Sequence, residues 1–191
     1  MRKFFICFIL TICVFSCSVF AMTPTYTNDA KYSRGVSNAC YYIDGTASGY
    51  TSNINSAANN WVDTGYGWNP IYMTAVSSNY ATHMDFYGRT PQSDVHLNDN
   101  VLGYATFWYT DGTLVARRGY EPSENYFYSE IAFNTAAANS YDIRTAKHEM
   151  GHAFGLAHNS SNYSIMNPNI DFTLVTNVQQ CDHDTINYLY N

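Results

Sequence analysis

Apolar residues recur with a helical period in three parts of the chain. The pattern predicts one helix from Thr51, one from about Asp142 to Phe154, and one from Asp182 to Tyr190. Thr51 or Ser52 would cap the first helix, and Asp182 would cap the third. The apolar faces of the three helices comprise Ile54, Ala57, Ala58, Trp61 and Val62, then Ile143, Ala146, Met150, Ala153 and Phe154, then Ile186, Leu189 and Tyr190.

Shorter stretches that are rich in β-branched and aromatic residues predict strands between these helices. The predicted strands are Cys40–Ile43, Ile71–Ser77, Met84–Tyr87, Val95–Leu97, Gly103–Tyr109 and Glu130–Asn134. The turn Thr110-Asp111-Gly112 directly after the fifth strand indicates a hairpin or a strand end. The predicted elements mix strands and helices within residues 40–191, and the chain after the first 21 residues has the length of one domain.

The first residues have the pattern of an export signal. Arg2 and Lys3 precede an almost wholly apolar run from Phe4 to Phe20, and Val19-Phe20-Ala21 is a suitable cleavage site. We therefore predict a signal peptide in residues 1–21, a polar segment in residues 22–39, and a secreted protein. An alternative is lipid anchoring at Cys17, but Phe15 fits the lipoprotein pattern poorly.

The charge balance argues against several classes of partner. Loss of Arg2 and Lys3 with the signal peptide leaves seven basic side chains against fifteen acidic ones, which lowers the formal charge from −6 to −8. An acidic chain without a basic cluster is a poor ligand for nucleic acid or for an anionic membrane surface. The sequence predicts no membrane span in the mature chain, and we expect a monomer.

Two cysteines remain after the signal peptide, Cys40 and Cys181. In an exported chain two cysteines most simply form a disulfide, which would join the first strand to the last helix. The alternative is a pair of buried thiols that never meet.

The most informative motif lies on the second predicted helix, where residues 148–158 read HEMGHAFGLAH. His148 and His152 are one turn apart on the same face, so both imidazoles can bind one metal ion. Glu149 can contact a water on that ion, and Gly155 permits the turn that brings His158 in as third ligand. Three protein ligands leave a fourth position open, as in a catalytic zinc site.

A purely structural explanation of this motif is weak. H-E-x-x-H alone can occur by chance on an amphipathic helix, but three of the six histidines of the chain fall within these eleven residues. Downstream, Met166 lies in the short turn Ser164–Pro168, where a zinc peptidase of this type has a methionine below the metal. Ordinary core packing would also explain Met166.

With these two motifs the chain resembles a metzincin zinc endopeptidase, most closely a small bacterial matrixin-type enzyme. The resemblance implies one zinc ion held by His148, His152 and His158, with Glu149 as general base and Met166 as the hydrophobic floor. It further implies an α+β catalytic domain over residues 40–191, with a twisted, mixed, mostly parallel sheet and two long helices. A small C-terminal subdomain with the Met-turn and the last helix would lie opposite the sheet, with the zinc cleft between them.

The resemblance also suggests how a protein or peptide substrate would be held. The strand Gly103–Tyr109 would pair with an extended peptide, although it could equally be an ordinary edge strand. The segment 168–180 would form a wall of the cleft. Its apolar members Ile170, Phe172, Leu174 and Val175 favour a hydrophobic substrate side chain.

Other metal sites receive little support. Residues 82–85, together with His96, resemble part of a second, structural zinc site of matrixins, but surface or loop histidines explain His83 and His96 better. No calcium-loop motif occurs, so Ca²⁺ is not indicated. Cys40 could cap the zinc in a latent form, and this alternative is the less favoured one.

Two further interpretations of the chain compete with the peptidase. The first is a zinc-containing binding or adhesion module without turnover, which the intact Glu149 argues against. The second is a peptidase of another clan with a chance third histidine, which Gly155 and Met166 argue against.

Overall fold

The computed structural model describes residues 29–98, 100–116, 121–137, 140, 142–169 and 174–191. The predicted signal peptide, the lipidation alternative at Cys17, and Ile170 and Phe172 lie outside the described residues. Within those that are described, no helix is both long and apolar enough to cross a membrane.

The described residues form six strands and three α-helices. In chain order they are β1 (Ala39–Ile43), a 3₁₀ helix (Gly45–Tyr50), α1 (Thr51–Val62), β2 (Met73–Val76), β3 (Met84–Arg89), β4 (Gly103–Trp108), β5 (Leu114–Ala116), β6 (Tyr128–Asn134), α2 (Ile143–Ala153) and α3 (Gln180–Tyr190).

The strands form one mixed sheet in the order β2-β1-β3-β6-β4-β5. The first four of these strands pair in parallel, whereas β4 is antiparallel both to β6 and to β5. The turn at 109–113 closes the β4–β5 hairpin, with Tyr109 N–H donating to the carbonyl of Thr113 at 2.8 Å. This mixed, mostly parallel sheet with its helices confirms the predicted α+β fold.

The main core lies where α1 and α2 pack against each other and against the sheet. Trp61 of α1 is fully buried, and its indole N–H donates to the carbonyl of Lys147 in α2 at 2.9 Å. On the sheet side, the ring of Phe133 stacks between those of Tyr50 and Phe86, with centroids 4.5 and 6.0 Å away. The two long helices are therefore locked to each other at the level where α2 bears its histidines.

The folded unit begins before the predicted boundary at residue 40. Ala30, Tyr32 and Val36 are each no more than 2% exposed and belong to the main core. Lys31 Nζ donates to the carbonyl of Leu189, and Tyr32 N–H donates to the hydroxyl of Tyr190 at 3.1 Å. Residues 30–36, which lie in the predicted polar segment 22–39, therefore join the start of the described chain to α3. The apolar Ala30, Tyr32 and Val36 have no regular period, so the sequence pattern did not reveal this.

Three predicted details of the elements were wrong. Residues 95–97 follow a turn instead of forming a strand, because the N–H groups of His96 and Leu97 donate to the carboxylate and the carbonyl of Asp94 at 2.9 and 3.0 Å. Neither Thr51 nor Ser52 caps α1, which follows the 3₁₀ helix without a break and has Tyr50 at its N-cap. Asp182 is not the N-cap residue of α3, which starts two residues earlier with Gln179 as N-cap; Asp182 instead caps the helix from its third position, where its carboxylate accepts from the N–H of Gln179 at 3.0 Å.

The predicted disulfide is not formed in the structure, where Cys40 and Cys181 are both free thiols. The Cys40 sulfur faces the Ala81 carbonyl at 3.8 Å and His83 Nδ1 at 3.9 Å, at the start of β1. Cys181 is buried in the first turn of α3, beside the carbonyl of Tyr163. The two thiols therefore contact different parts of the fold, and burial raises the pKa of Cys181 to about 12.

Candidate metal centre

Helix α2 presents the first two histidines of the motif. It begins as predicted at Asp142, whose carboxylate accepts from the N–H of Arg144 at 2.8 Å and thereby satisfies one of the free N–H groups of the first turn. His148 and His152 follow one turn apart, and their ring centroids are 4.6 Å from each other. The helical spacing therefore places both imidazoles on one side, as the sequence predicts.

The turn at Gly155 brings the third histidine of the motif, His158, close to the other two. Gly155 has φ +100°, and the N–H groups of Gly155 and Leu156 donate to the carbonyls of His152 and Gly151 at 2.8 and 3.0 Å. These two bonds are those of a Schellman motif, which ends a helix and reverses the chain. The chain then returns towards α2, and the His158 ring lies 4.7 Å from that of His152.

The three imidazoles converge through their Nε2 atoms. His152 Nε2 is 3.0 Å from His148 Nε2 and 3.2 Å from His158 Nε2. One nitrogen of each ring lies within 4.8 Å of the others, and no second group of three or more potential metal ligands occurs within the described residues.

In two of these rings, the partner of the other ring nitrogen, Nδ1, determines which nitrogen carries the proton. His148 Nδ1 lies 2.9 Å from the carbonyl of Ile165, and His152 Nδ1 lies 2.8 Å from the carbonyl of Leu156. Because a carbonyl can only accept, each Nδ1 carries the proton and each Nε2 presents a lone pair to the centre. Burial also lowers the pKa of His148 to about 4 and lowers that of His152 and His158, so all three rings are neutral.

This donor set fits a zinc ion. Lone pairs that face each other at about 3 Å repel unless a cation lies between them. Neutral imidazole nitrogens with carbonyl partners on their other ring nitrogen are the usual ligands of zinc. His148, His152 and His158 are the residues that would hold the ion.

Met166 packs against α2 at Gly151, one residue before His152. It is 1% exposed, and a Cβ added to Gly151 would overlap its sulfur and come within 3.1 Å of Trp61. Gly151 is thus the point on α2 where the methionine packs against the helix, on the side of the core. The side chain supports the helix that carries the histidines, and its role as the hydrophobic floor beneath a metal ion stays a prediction.

A buried carboxylate holds the Met166 turn, and the sequence did not indicate this role. Asp182 of α3 accepts from the Ser164 hydroxyl at 2.6 Å and from the N–H of Ile165 at 3.1 Å. Because the carbonyl of Ile165 accepts from His148, Asp182 fixes the group that orients the His148 ring. Burial raises the pKa of this carboxyl group, and its hydrogen bonds oppose that shift. An aspartate in a helical first turn gives no sequence signal of such a contact.

The side chain of Glu149 extends from α2 towards strand β4 of the sheet. Its side chain is 6% exposed, and a Cβ added to Gly103 would come within 3.2 Å of its Cγ and its Oε1. The absence of a side chain at Gly103 therefore makes room for the carboxylate at the first residue of β4. Glu149 is next to His148 in sequence and contacts the strand on which a peptide is predicted to bind.

The free edge of β4 is shorter than predicted. The strand ends at Trp108 instead of Tyr109, and β5 pairs with it at Phe107 and Trp108. Over residues 103–106, β4 has β6 on one side and, within the described part of the chain, no strand on the other. An extended peptide would therefore find backbone groups to pair with along residues 103–106, beside Glu149.

A buried lysine ties down the segment that follows the Met166 turn, which the sequence did not indicate either. Lys147 is 3% exposed, and its Nζ donates to the carbonyl of Thr176 at 2.5 Å and to Asn177 Oδ1 at 2.7 Å. Val178 N–H donates to Asn60 Oδ1 of α1 at 2.9 Å. Residues 176–178, within the predicted cleft wall, are thus fastened to both long helices.

We expect Lys147→Met, which keeps the length of the side chain, to lower the free energy of unfolding by about 1–3 kcal/mol, because two acceptors lose their donor. In this variant the amides of residues 174–178 should exchange hydrogen faster than in the parent protein, and this increase should be larger than that of the α1 amides. Urea titration and hydrogen exchange measure the two effects. The control Asn177→Ala removes one acceptor and should cost less; equal exchange in Lys147→Met and the parent protein would contradict this role.

The residues considered for a structural zinc site do not gather around a common point. His83 is 6% exposed, with its Nδ1 accepting from the N–H of Cys40 at 3.3 Å, and burial lowers its pKa to about 4. Asp85 instead accepts from Thr82 and Tyr128 at 2.6 and 2.9 Å. His83 is therefore a buried residue of the loop before β3, so the expected loop position is confirmed and the alternative of a surface position was wrong. His96, which is half-buried, lies in the 95–97 turn.

Comparison with known proteins agrees with this geometry. A model of the matrixin family matches residues 76–191, which is more than half of the chain and includes the three histidines, Glu149 and Met166. No curated protein matches the sequence. With a matched region that spans the converging imidazoles and the methionine turn, the chain belongs to the matrixin family of zinc metallopeptidases.

Proposed function

We propose that this protein is a secreted endopeptidase that hydrolyses peptide bonds with Glu149 as general base at a zinc centre formed by His148, His152 and His158. The observation that carries the proposal is the convergence of three imidazole Nε2 atoms beside a carboxylate that reaches the free part of β4. Family membership supports the zinc and the peptide-bond chemistry.

Each group has a separate task in the proposed reaction. Zinc, when bound, supplies Lewis-acid chemistry, since it lowers the pKa of water to about 7 and polarises a carbonyl group. Glu149 accepts the proton of the attacking water and then delivers it to the leaving amine. His148 and His152 keep their Nε2 lone pairs directed to the centre because Ile165 and Leu156 accept at their Nδ1 atoms.

The substrate would be held in extended form along residues 103–106. Backbone hydrogen bonds to an edge strand bind a peptide irrespective of its sequence. Glu149 adjoins Gly103, so a peptide paired there would have its scissile carbonyl near the carboxylate. The apolar Leu174 is 65% exposed in the wall segment and would contact a side chain beside the scissile bond.

The proposed export is based on the first 21 residues, which have the charge and hydropathy pattern of a signal peptide. Cleavage after Ala21 would leave Ala30, the first core residue of the described chain, in the mature protein. The acidic charge and the location are consistent with a protein or peptide substrate outside the cell.

The test is incubation of the purified mature chain with a mixed peptide library, with and without a zinc chelator, followed by mass spectrometry. Cleavage that stops with chelator and returns with added zinc is the expected result. If a folded, zinc-loaded protein cuts none of the peptides, the proposal fails, and the alternative of a silent zinc-containing binding or adhesion module takes its place.

A further inference from the structure

A short loop after α1 displays two aromatic rings to solvent. Trp68 is 66% exposed and Tyr66 is 42% exposed. Each follows a glycine in the left-handed region, Gly65 with φ +80° and Gly67 with φ +110°. Glycine adopts these conformations without strain, so the chain can turn tightly at both positions. The rings of Tyr66 and Trp68 lie on the outside of this loop.

The loop is fastened to α3 at two points one helical turn apart. The Thr64 hydroxyl and His183 Nδ1 are 2.8 Å apart, and Asn187 Nδ2 donates to the carbonyl of Trp68 at 3.2 Å. The ring of Tyr66 lies 6.0 Å from that of His183. His183 and Asn187 are four residues apart, which is about 6 Å along a helix. Tyr66 and Trp68, which contact them, therefore lie about that far apart along α3.

A third ring extends this surface along α3. Tyr188 is 56% exposed and follows Asn187 directly, so it lies next to the residue that binds the loop. Tyr66, Trp68 and Tyr188, here called the aromatic patch, share one side of the molecule. Asp184 lies one turn before Tyr188 on the same helical face and is exposed.

The composition of the patch limits its partner. The segments 35–88 and 148–191, which contain all its residues, hold no Lys or Arg. Lys31 comes close to Tyr188 from outside these segments, but its ammonium group is bound to the carbonyl of Leu189 and lies over the ring of Tyr190. Phosphate groups, nucleic acid and anionic membranes need basic side chains, so they are poor ligands here. The exposed large apolar residues of the patch are all aromatic, with a polar hydroxyl or indole N–H, and the neighbouring Asp184 is acidic.

Rigid, uncharged aromatic faces with polar edges suit a neutral sugar. The C–H faces of pyranose rings stack on flat aromatic rings, while sugar hydroxyls exchange hydrogen bonds with phenol, indole, amide and carboxylate groups. Trp and Tyr side chains have only two rotatable χ angles, so they lose little conformational entropy on binding. We propose that the aromatic patch binds neutral polysaccharide and retains the protein on insoluble glycan, independently of its reaction at the metal centre.

The test is co-sedimentation of the mature chain with cellulose and with chitin, two insoluble neutral polysaccharides, in 0 and roughly 0.5 M NaCl. Trp68→Ala should lower the affinity at least about tenfold, which corresponds to 1.4 kcal/mol, and Tyr188→Ala should also lower it. Binding should be insensitive to salt, because no ion pair carries it. Tyr80→Ala is the matched control, since Tyr80 is 89% exposed in the β2–β3 connection and should not matter.

Folding and activity are followed in the same variants. Trp68→Tyr keeps a ring at this position and should retain most of the binding, which separates loss of stacking from loss of structure. Cleavage of a soluble peptide, or zinc content if no cleavage occurs, should be equal in Trp68→Ala and the parent protein. The proposal is overturned if the parent chain sediments with neither polysaccharide, or if Trp68→Ala binds as well as Tyr80→Ala. It is also overturned if Trp68→Ala instead converts a dimer to a monomer in sedimentation velocity.

Discussion

Replacement of Glu149 by Gln should lower kcat/KM for peptide cleavage by roughly 10²–10⁴-fold while the zinc content stays at one ion per chain. Gln has nearly the shape of Glu, so it fits the space beside Gly103, but it cannot accept the proton of the attacking water. The three imidazoles that would hold the ion are unchanged. Kinetics on a fluorogenic peptide and metal analysis of the same preparation measure both quantities.

Glu124→Gln provides the matched control for this experiment. Glu124 is exposed and accepts a hydrogen bond from Tyr109 at 2.6 Å, outside the group of residues around the three histidines. The same loss of charge there should leave cleavage within about twofold of the parent protein. Cleavage that survives unchanged in Glu149→Gln would show that another group activates the water.

Replacement of Gly155 by Ala should destabilise the protein by roughly 3–5 kcal/mol and lower its affinity for zinc. Gly155 has φ +100°, a conformation that costs an L-residue about 1–3 kcal/mol. In addition, a Cβ there would overlap the carbonyl oxygen of Ala30, and a backbone atom cannot rotate away as a side chain can. The turn would have to shift, and His158 would move with it.

Gly112→Ala separates the two causes. Gly112 has φ +80° in the β4–β5 turn, and a Cβ there would have no atom within 4 Å. It should therefore show only the cost of the conformation, about 1 kcal/mol. Urea unfolding of both variants and zinc competition with a chromogenic chelator provide the comparison. Equal losses of stability would mean that the contact with Ala30 carries no energy.

The parts of the molecule that could be predicted from sequence are those defined by local spacing. The four-residue interval of His148 and His152 needs only a helix to bring them together, and Asp142 and Gly155 are the residues that start and end one. The chain reversal after Gly155 follows from the same rules, so the position of His158 was predictable too. The aromatic-rich sequence of β4 and the turn after it likewise indicated the hairpin.

What could not be predicted depends on contacts between residues that are distant in sequence. Nothing local distinguishes the aspartate that holds the Met166 turn from one that caps a helix, and both functions belong to Asp182. Lys147 resembles any surface lysine of an amphipathic helix until the 176–178 segment folds over it. A cysteine pair likewise gives no distance, so Cys40 and Cys181 could be matched by number but not by geometry.

The attachment of residues 30–32 to α3 has a consequence for the order in which the protein matures. Gly155 abuts Ala30, Lys31 reaches Leu189 across 158 positions of sequence, and Tyr190 donates to the carbonyl of Phe154 at 3.0 Å. Contacts of such long range form late in folding, because a large loop must close first. The turn that carries His158 is therefore completed only when almost the whole described chain is in place. We therefore expect a nascent or partly translocated chain not to cleave its neighbours, so that the proposed proteolysis would begin only after synthesis and the proposed export are complete.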